Sequence, residues 1–304
     1  MTNQLTNFKE KERLNIGEIM STRGLYGIRK NGIDKCTYNH SDSYPDWLGK
    51  KVLEFCATNS AEKLSRLFDN IEMVTEDATP TEEQIEICKK AGYVNLDVSN
   101  RSEKDWYCLL RNLQGNFKAY TKCIEDDSKV FMTDGIGFIE DSLFCEYAYI
   151  INIDDEVLEY YEGFQKTPQI DNRYGTTPDD NGYYPCKLEF KIPLDEIGFE
   201  NVDKFVTKME TGLDKEDAEA YQKLIDEYDL SEEDAKAITE DGKADRVCGI
   251  YEDTYDVGRE YLINVHGIPD FLENYVDFER FGEDEVENTD AWYQLPSGKY
   301  AHLS

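Results

Sequence analysis

Four stretches of this 304-residue chain carry residue types with chemistry to offer. Cys36, His40 and Asp42 stand close together and offer a thiol nucleophile, a base and an orienting acid. Proximity along the chain carries little weight here, because catalytic groups converge in space and strand alternation alone puts Cys36 and His40 on one face. His266 and His302 read as a helix-end residue and a tail residue. The run Thr177-Pro178-Asp179-Asp180-Asn181-Gly182 resembles a calcium loop, but Thr177 stands where the first carboxylate belongs and Leu188 where the closing glutamate belongs. That excludes an EF-hand. Asp134-Gly135-Ile136-Gly137 lacks the third glycine of a phosphate-binding turn and reads as a hairpin. The eight cysteines are scattered with no C-x-x-C, so neither a zinc site nor a redox motif is expected, and buried reduced thiols are. No enzyme activity, no cofactor and no metal is expected; the alternative readings are a hydrolase in residues 21–194 using Cys36 and His40 with an acidic recruitment domain, and an acidic structural or adaptor protein.

The fourth stretch is a series of carboxylates, and its chemistry is charge rather than catalysis. Asp253–Asn288 reads as two short helices. Tyr261, Leu262 and Val265 recur at helical spacing in the first, Gly267 ends it, and Pro269 opens the second. At 100° per residue a helix over Ile268–Phe281 places Ile268, Phe271, Leu272, Tyr275 and Phe278 on one side and Asp270, Glu273, Asp277 and Asp284 on the other. The rise per residue sets those acids roughly 5 to 10 Å apart, comparable to the axial step of roughly 3.4 Å between phosphates on one DNA strand. Asp270, Glu273, Asp277, Glu283, Asp284, Glu285 and Glu287 are the expected partner contacts. Phe271, Tyr275 and Phe278 are expected in the core or in a seam between copies.

Tyr255-Asp256-Val257, Tyr261, Ile268-Pro269, Leu272, Asn274-Tyr275-Val276-Asp277-Phe278 and Phe281-Gly282 followed by Asp284 resemble the C-terminal domain of ArdA-type antirestriction proteins. The resemblance extends over residues 195–304, is weaker before Asp253, and departs at Glu283, where the family usually carries arginine. It implies an acidic, dimeric mimic of B-form DNA that occupies the DNA-binding groove of a type I restriction enzyme. Residues 21–194 have no counterpart of that family's first domain. Their beginning is similar to uncharacterised phage and prophage proteins.

Charge is distributed to match. The chain carries 65 acids and 33 bases for a net charge of −32, and the net runs from +2 over residues 1–60 through −13 over 61–194 to −21 over 195–304. Such a surplus repels phosphate, because affinity for nucleic acid rests on Lys and Arg. A basic protein surface is therefore the expected partner, which the resemblance implies is a host restriction or other nuclease defence complex with a basic groove, and direct nucleic-acid or membrane binding is not expected. Host cytoplasm is the expected location.

The elements that must position these groups are those of an α+β protein. Residues 1–20 read as a loosely attached leader, with Met20 a second possible start. Residues 21–194 read as a sheet with helices on one side. Asn31-Gly32 marks a hairpin, helices are expected from Tyr44-Pro45 and over Ala61–Val74, Thr81–Ala91 and Lys104–Leu113, and long strands are expected around Asp154-Asp155. Residues 165–185 form a long polar loop. Residues 195–246 read as an acidic helical domain, with Ser231 and Asp234 resembling a capping box, and 247–304 as a small α+β domain.

Overall fold

The computed structural model describes residues 22–213 and 215–304, without the side chains of Lys215, Glu216, Val265 and Asp270. The expected leader lies outside the described residues. The protein is α+β and divides into two compact units, the first running through Val206 and the second from Thr207 to Ser304. No described helix is long and apolar enough to cross a membrane.

In the first unit β1 (Gly24–Lys30) and β2 (Ile33–Asn39) form the hairpin written in Asn31-Gly32. Both turn residues have positive φ, 53° and 75°, as the two-residue turn requires. The turn amides of Asn31 and Gly32 donate to the Asp154 carboxylate at 2.6 and 2.9 Å. A short π-helical turn over Pro45–Gly49 leads into α1 (Lys50–Thr58), followed by α2 (Ala61–Asn70). The helix expected to run to Val74 stops at Asn70, and β3 (Ile71–Val74) follows, since β-branched Ile71 and Val74 suit a strand. Next comes α3 (Glu82–Ala91), started by a reciprocal capping box between Thr81 and Gln84. The helix expected over Lys104–Leu113 is α4 (Trp106–Leu110) with a 3-10 turn behind it, and α5 (Lys118–Asp126) leads to β4 (Val130–Thr133), parallel to β3.

The main sheet is completed by β5 (Tyr147–Asn152), β6 (Val157–Glu162) and β7 (Lys187–Pro193), in the order β2-β1-β5-β6-β7 with only β1 and β5 parallel. The strands around Asp154-Asp155 are shorter than expected, because Ile136–Glu140 is a 3-10 turn. Alternation divides the sheet between two cores. Tyr26, Ile28 and Ile151 meet Val52, Phe55, Leu67 and Tyr120 from the helices. Leu25, Cys36, Ala148, Ile150 and Tyr161 meet Ile139, Cys145 and Cys186 from loops.

The unit boundary falls inside α6 (Val202–Thr211), twelve residues past the sequence-based boundary at 194. In the second unit α7 (Lys215–Tyr228) and α8 (Glu232–Glu240), the latter capped by Ser231 at 3.1 Å from the Asp234 amide, precede β8 (Val247–Tyr251). With β9 (Trp292–Gln294) and β10 (Tyr300–Leu303) it forms an antiparallel sheet of order β8-β10-β9, and α9 (Thr254–Glu260) and α10 (Phe278–Asn288) lie between β8 and β9 in the chain. Leu224, Leu230, Ala235 and Ile238 share one core with Val247, Leu295, Ala301 and Leu303. Residues 207–246 and 247–304 fall within this one compact unit, where the helices and the small sheet share that core.

Candidate acidic interaction surface

The helix expected over Ile268–Phe281 does not form. A π turn over Tyr261–Val265 is followed by Gly267 at φ 69°, a 3-10 segment at Asp270–Tyr275, extended Val276, and only then α10. Asp277 causes the break. Its backbone is non-helical and its carboxylate accepts the Arg280 amide at 3.2 Å, so it starts a helix instead of continuing one.

Restarting at Phe278 re-registers every side chain downstream. Phe278 is 4% exposed and Gly282 is buried, while Phe281, Glu285 and Val286 are half-buried on the same side. Glu279, Glu283 and Glu287 climb the opposite side four residues apart, each step about 6 Å, with Asp284 beside them. Two glycines hold this helix against α9. A β-carbon on Gly258 would stand 2.0 Å from the Phe278 carbonyl oxygen, and one on Gly282 would stand 1.7 Å from that of Thr254, so the backbones touch where side chains would separate them.

The expected contact residues therefore separate into distinct groups. Glu283, Asp284 and Glu287 are open to solvent. Asp277 is exposed but serves as the cap, and Glu273 is half-buried with Arg259 Nη2 at 4.0 Å from its Oε2. Glu285 faces inward, its Oε2 buried without a hydrogen-bond partner. The Asp270 side chain lies outside the described residues. Glu279 escaped the sequence reading because the register of a continuous helix over Ile268–Phe281 puts it on the apolar side. Of the three aromatics assigned to core or seam, Phe278 is in the core, its ring 5.6 Å from that of Tyr255, whereas Phe271 is 72% and Tyr275 84% exposed. With Leu272 they form an apolar surface on the 3-10 segment, interleaved with acids, because a 3-10 turn does not place these positions on one buried stripe.

The alternative site at Cys36 and His40 has a different character. Cys36 is fully buried between Leu25 and Ile139, and burial, reinforced by the Asp34 carboxylate, pushes its thiol well above the usual range. His40 is exposed, with Nδ1 at 3.4 Å from the Tyr38 hydroxyl, and partial desolvation of the ring by its neighbours, with the nearby Arg111 and Arg23, holds it below its usual range. A thiol so placed offers no thiolate to a solvent-borne substrate. In the polar loop, Asp179 accepts the amides of Asn181 and Tyr183 at 2.9 and 2.8 Å and closes the calcium-like run as a turn. No cluster of three or more His, Cys, Asp or Glu placed to hold a metal occurs among the described residues.

One constellation was invisible in the sequence. The Glu159 carboxylate on β6 is fully buried and accepts both Arg173 terminal nitrogens at 2.8 and 2.5 Å, Asn152 Nδ2 at 2.9 Å and the Tyr161 hydroxyl at 3.0 Å. Burial works to raise its pKa, and these donors outweigh it, leaving the carboxyl below its ordinary value. Asp34 lies beside Arg173 at 3.7 Å and accepts Arg29 at 2.6 Å, yet its Oδ1 has no hydrogen bond and burial raises its pKa. Arg173 belongs to the long polar loop, so this network clamps that loop to the sheet. The Glu159 carboxylate is occupied by protein donors, which makes the network an anchor rather than an interaction surface.

Compared with models of known protein families, with curated proteins and with solved structures, the chain has no match in any of the three.

Proposed function

We propose that the protein is an antidefence factor of a phage or mobile element, and that its second unit acts as an acidic DNA mimic on a host restriction or other nuclease defence complex in the host cytoplasm. The observation that carries this reading is the outer face of α10. That face holds Glu279, Glu283, Asp284 and Glu287 against one arginine over a length of about 16 Å, where duplex DNA carries roughly nine phosphate charges. One helix thus offers about a third of the line charge of a duplex, on an element pinned by Gly258 and Gly282. The unit around it has 27 acids and 9 bases, a net of −18 over residues 207–304. Arginines and lysines that grip phosphate are attracted to such a face, and the field steers their approach. The resemblance to ArdA-type proteins supplies the class of target, and the exposed Phe271 and Tyr275 supply apolar contact area for self-association.

The test uses the full chain in a DNA-cleavage assay with a type I restriction enzyme, beside a gel shift with duplex DNA. The expected result is inhibition relieved by excess DNA, no shift of DNA by the protein alone, and loss of inhibition in Glu279→Lys/Glu283→Lys/Glu287→Lys with a melting temperature no lower than the parent's. A triple variant that inhibits as well as the parent overturns the assignment of this face, and tight binding of the parent to duplex DNA overturns mimicry.

A further inference from the structure

Seven of the eight cysteines are buried, and the exceptional one, Cys248, is exposed on β8 of the second unit. It is not a lone thiol. The pairing of β8 with β10 sets His302 opposite Gly249 and Leu303 opposite Val247, so Cys248 is the extra residue of a β-bulge. Bulges re-aim side chains, and here the Cys248 sulfur is brought to 3.3 Å from His302 Nδ1. The imidazole is held in place independently. Its ring stacks on Trp292, its cross-strand partner on β9, with centroids 4.5 Å apart and planes 21° from parallel. Trp292 is in turn packed edge-on against Tyr251 at 5.2 Å. An exposed thiol beside a fixed imidazole is the arrangement of a nucleophile with its base.

We propose that Cys248 is a modification site for a low-molecular-weight disulfide, with His302 as the base that activates the thiol. His302 carries its proton on Nε2 and takes the thiol proton on Nδ1 as the Cys248 sulfur attacks one sulfur of the disulfide. The disulfide bond breaks, a protein mixed disulfide forms, and the departing thiolate takes the proton from His302 and leaves as a thiol. The disulfide itself is the only oxidant required. The site is independent of the acidic face of α10 and of the function assigned to it.

Native protein is treated with oxidised glutathione, the adduct is located by peptide mass mapping, and the rate of thiol reaction with an aromatic disulfide reagent is followed by absorbance. One thiol of the eight reacts fast, the adduct maps to Cys248, and Cys248→Ser removes the fast phase. His302→Gln, which leaves the thiol at least as accessible, slows that phase tenfold or more, a loss below the roughly 10²–10⁴ that base catalysis reaches. Denatured protein, in which every thiol reacts, identifies any variant that has unfolded, and the wild-type adduct map stands without any variant. An adduct on another cysteine overturns the site, and an undiminished rate in folded His302→Gln overturns the role of the imidazole.

Discussion

At the scale of the residue, the pair Glu159 and Arg173 shows how a charge is tolerated inside this protein. The carboxylate is fully buried and the arginine side chain 27% exposed, so the pair relies on close geometry and on Asn152 and Tyr161 for the remaining acceptor capacity. Arg173→Met leaves a buried charge half-compensated and is expected to cost on the order of 3 kcal/mol at neutral pH, read as a fall in melting temperature. The pH dependence carries a definite sign. Glu159 has a lowered folded pKa, so its contribution is present above the unfolded carboxylate value and is lost as pH falls. Asp34, raised by burial, opposes this, because it costs stability when charged and is relieved as pH falls. In the variant Glu159 protonates readily, so the gap in melting temperature between wild type and Arg173→Met narrows between about pH 7 and about pH 4. A gap that stays constant across that range removes the buried charge as the cause.

At the scale of the element, α9 and α10 turn on two glycines and one aspartate. Gly282→Ala puts a methyl group on the Thr254 carbonyl and forces the helices apart. The expected loss is about 1–3 kcal/mol, the range of overpacking, despite alanine's better helix propensity. Tyr275→Ala is the contrast. At 84% exposure it is expected to leave the melt within about 0.5 kcal/mol of wild type and to reduce the proposed self-association in a sedimentation run. A monomeric parent removes that role from the 3-10 segment. Local chemistry was legible where it acts over a few residues, as in the Asn31-Gly32 turn, the Thr81 capping box and the Ser231 cap. It failed at Asp277, a residue that suits the outer face of a continuous helix as well as the start of a new one. That single ambiguity moved Tyr275 from core to surface and Glu279 into the acidic face. The pairing of Glu159 with Arg173, and of Cys248 with His302, had no local signal at all, since a loop and a bulge bring them together.

At the scale of the whole molecule, charge acts on stability and on binding with opposite signs. A net charge of −32, with −18 in residues 207–304, makes each unit repel itself, and that repulsion is a long-range sum rather than a few contacts. The Debye length falls from about 10 Å at 0.1 M salt to about 3 Å at 1 M, so added salt removes most of the repulsion between exposed carboxylates while leaving apolar burial in place. The melting temperature is therefore expected to rise with sodium chloride over this range. The surface ion pairs, such as Lys299 with Glu252 at 2.8 Å, are too weak individually to reverse that trend. The proposed association with a basic groove depends on the same field acting between molecules, so the proposed inhibition should weaken over the same interval, chiefly through a slower on-rate. The measurement is a thermal melt and a cleavage-inhibition assay across one salt series, with the target enzyme's own salt response subtracted. A stabilised protein that also inhibits undiminished at high salt shows that its contacts are apolar, and moves the interaction surface from α10 to Phe271, Leu272 and Tyr275.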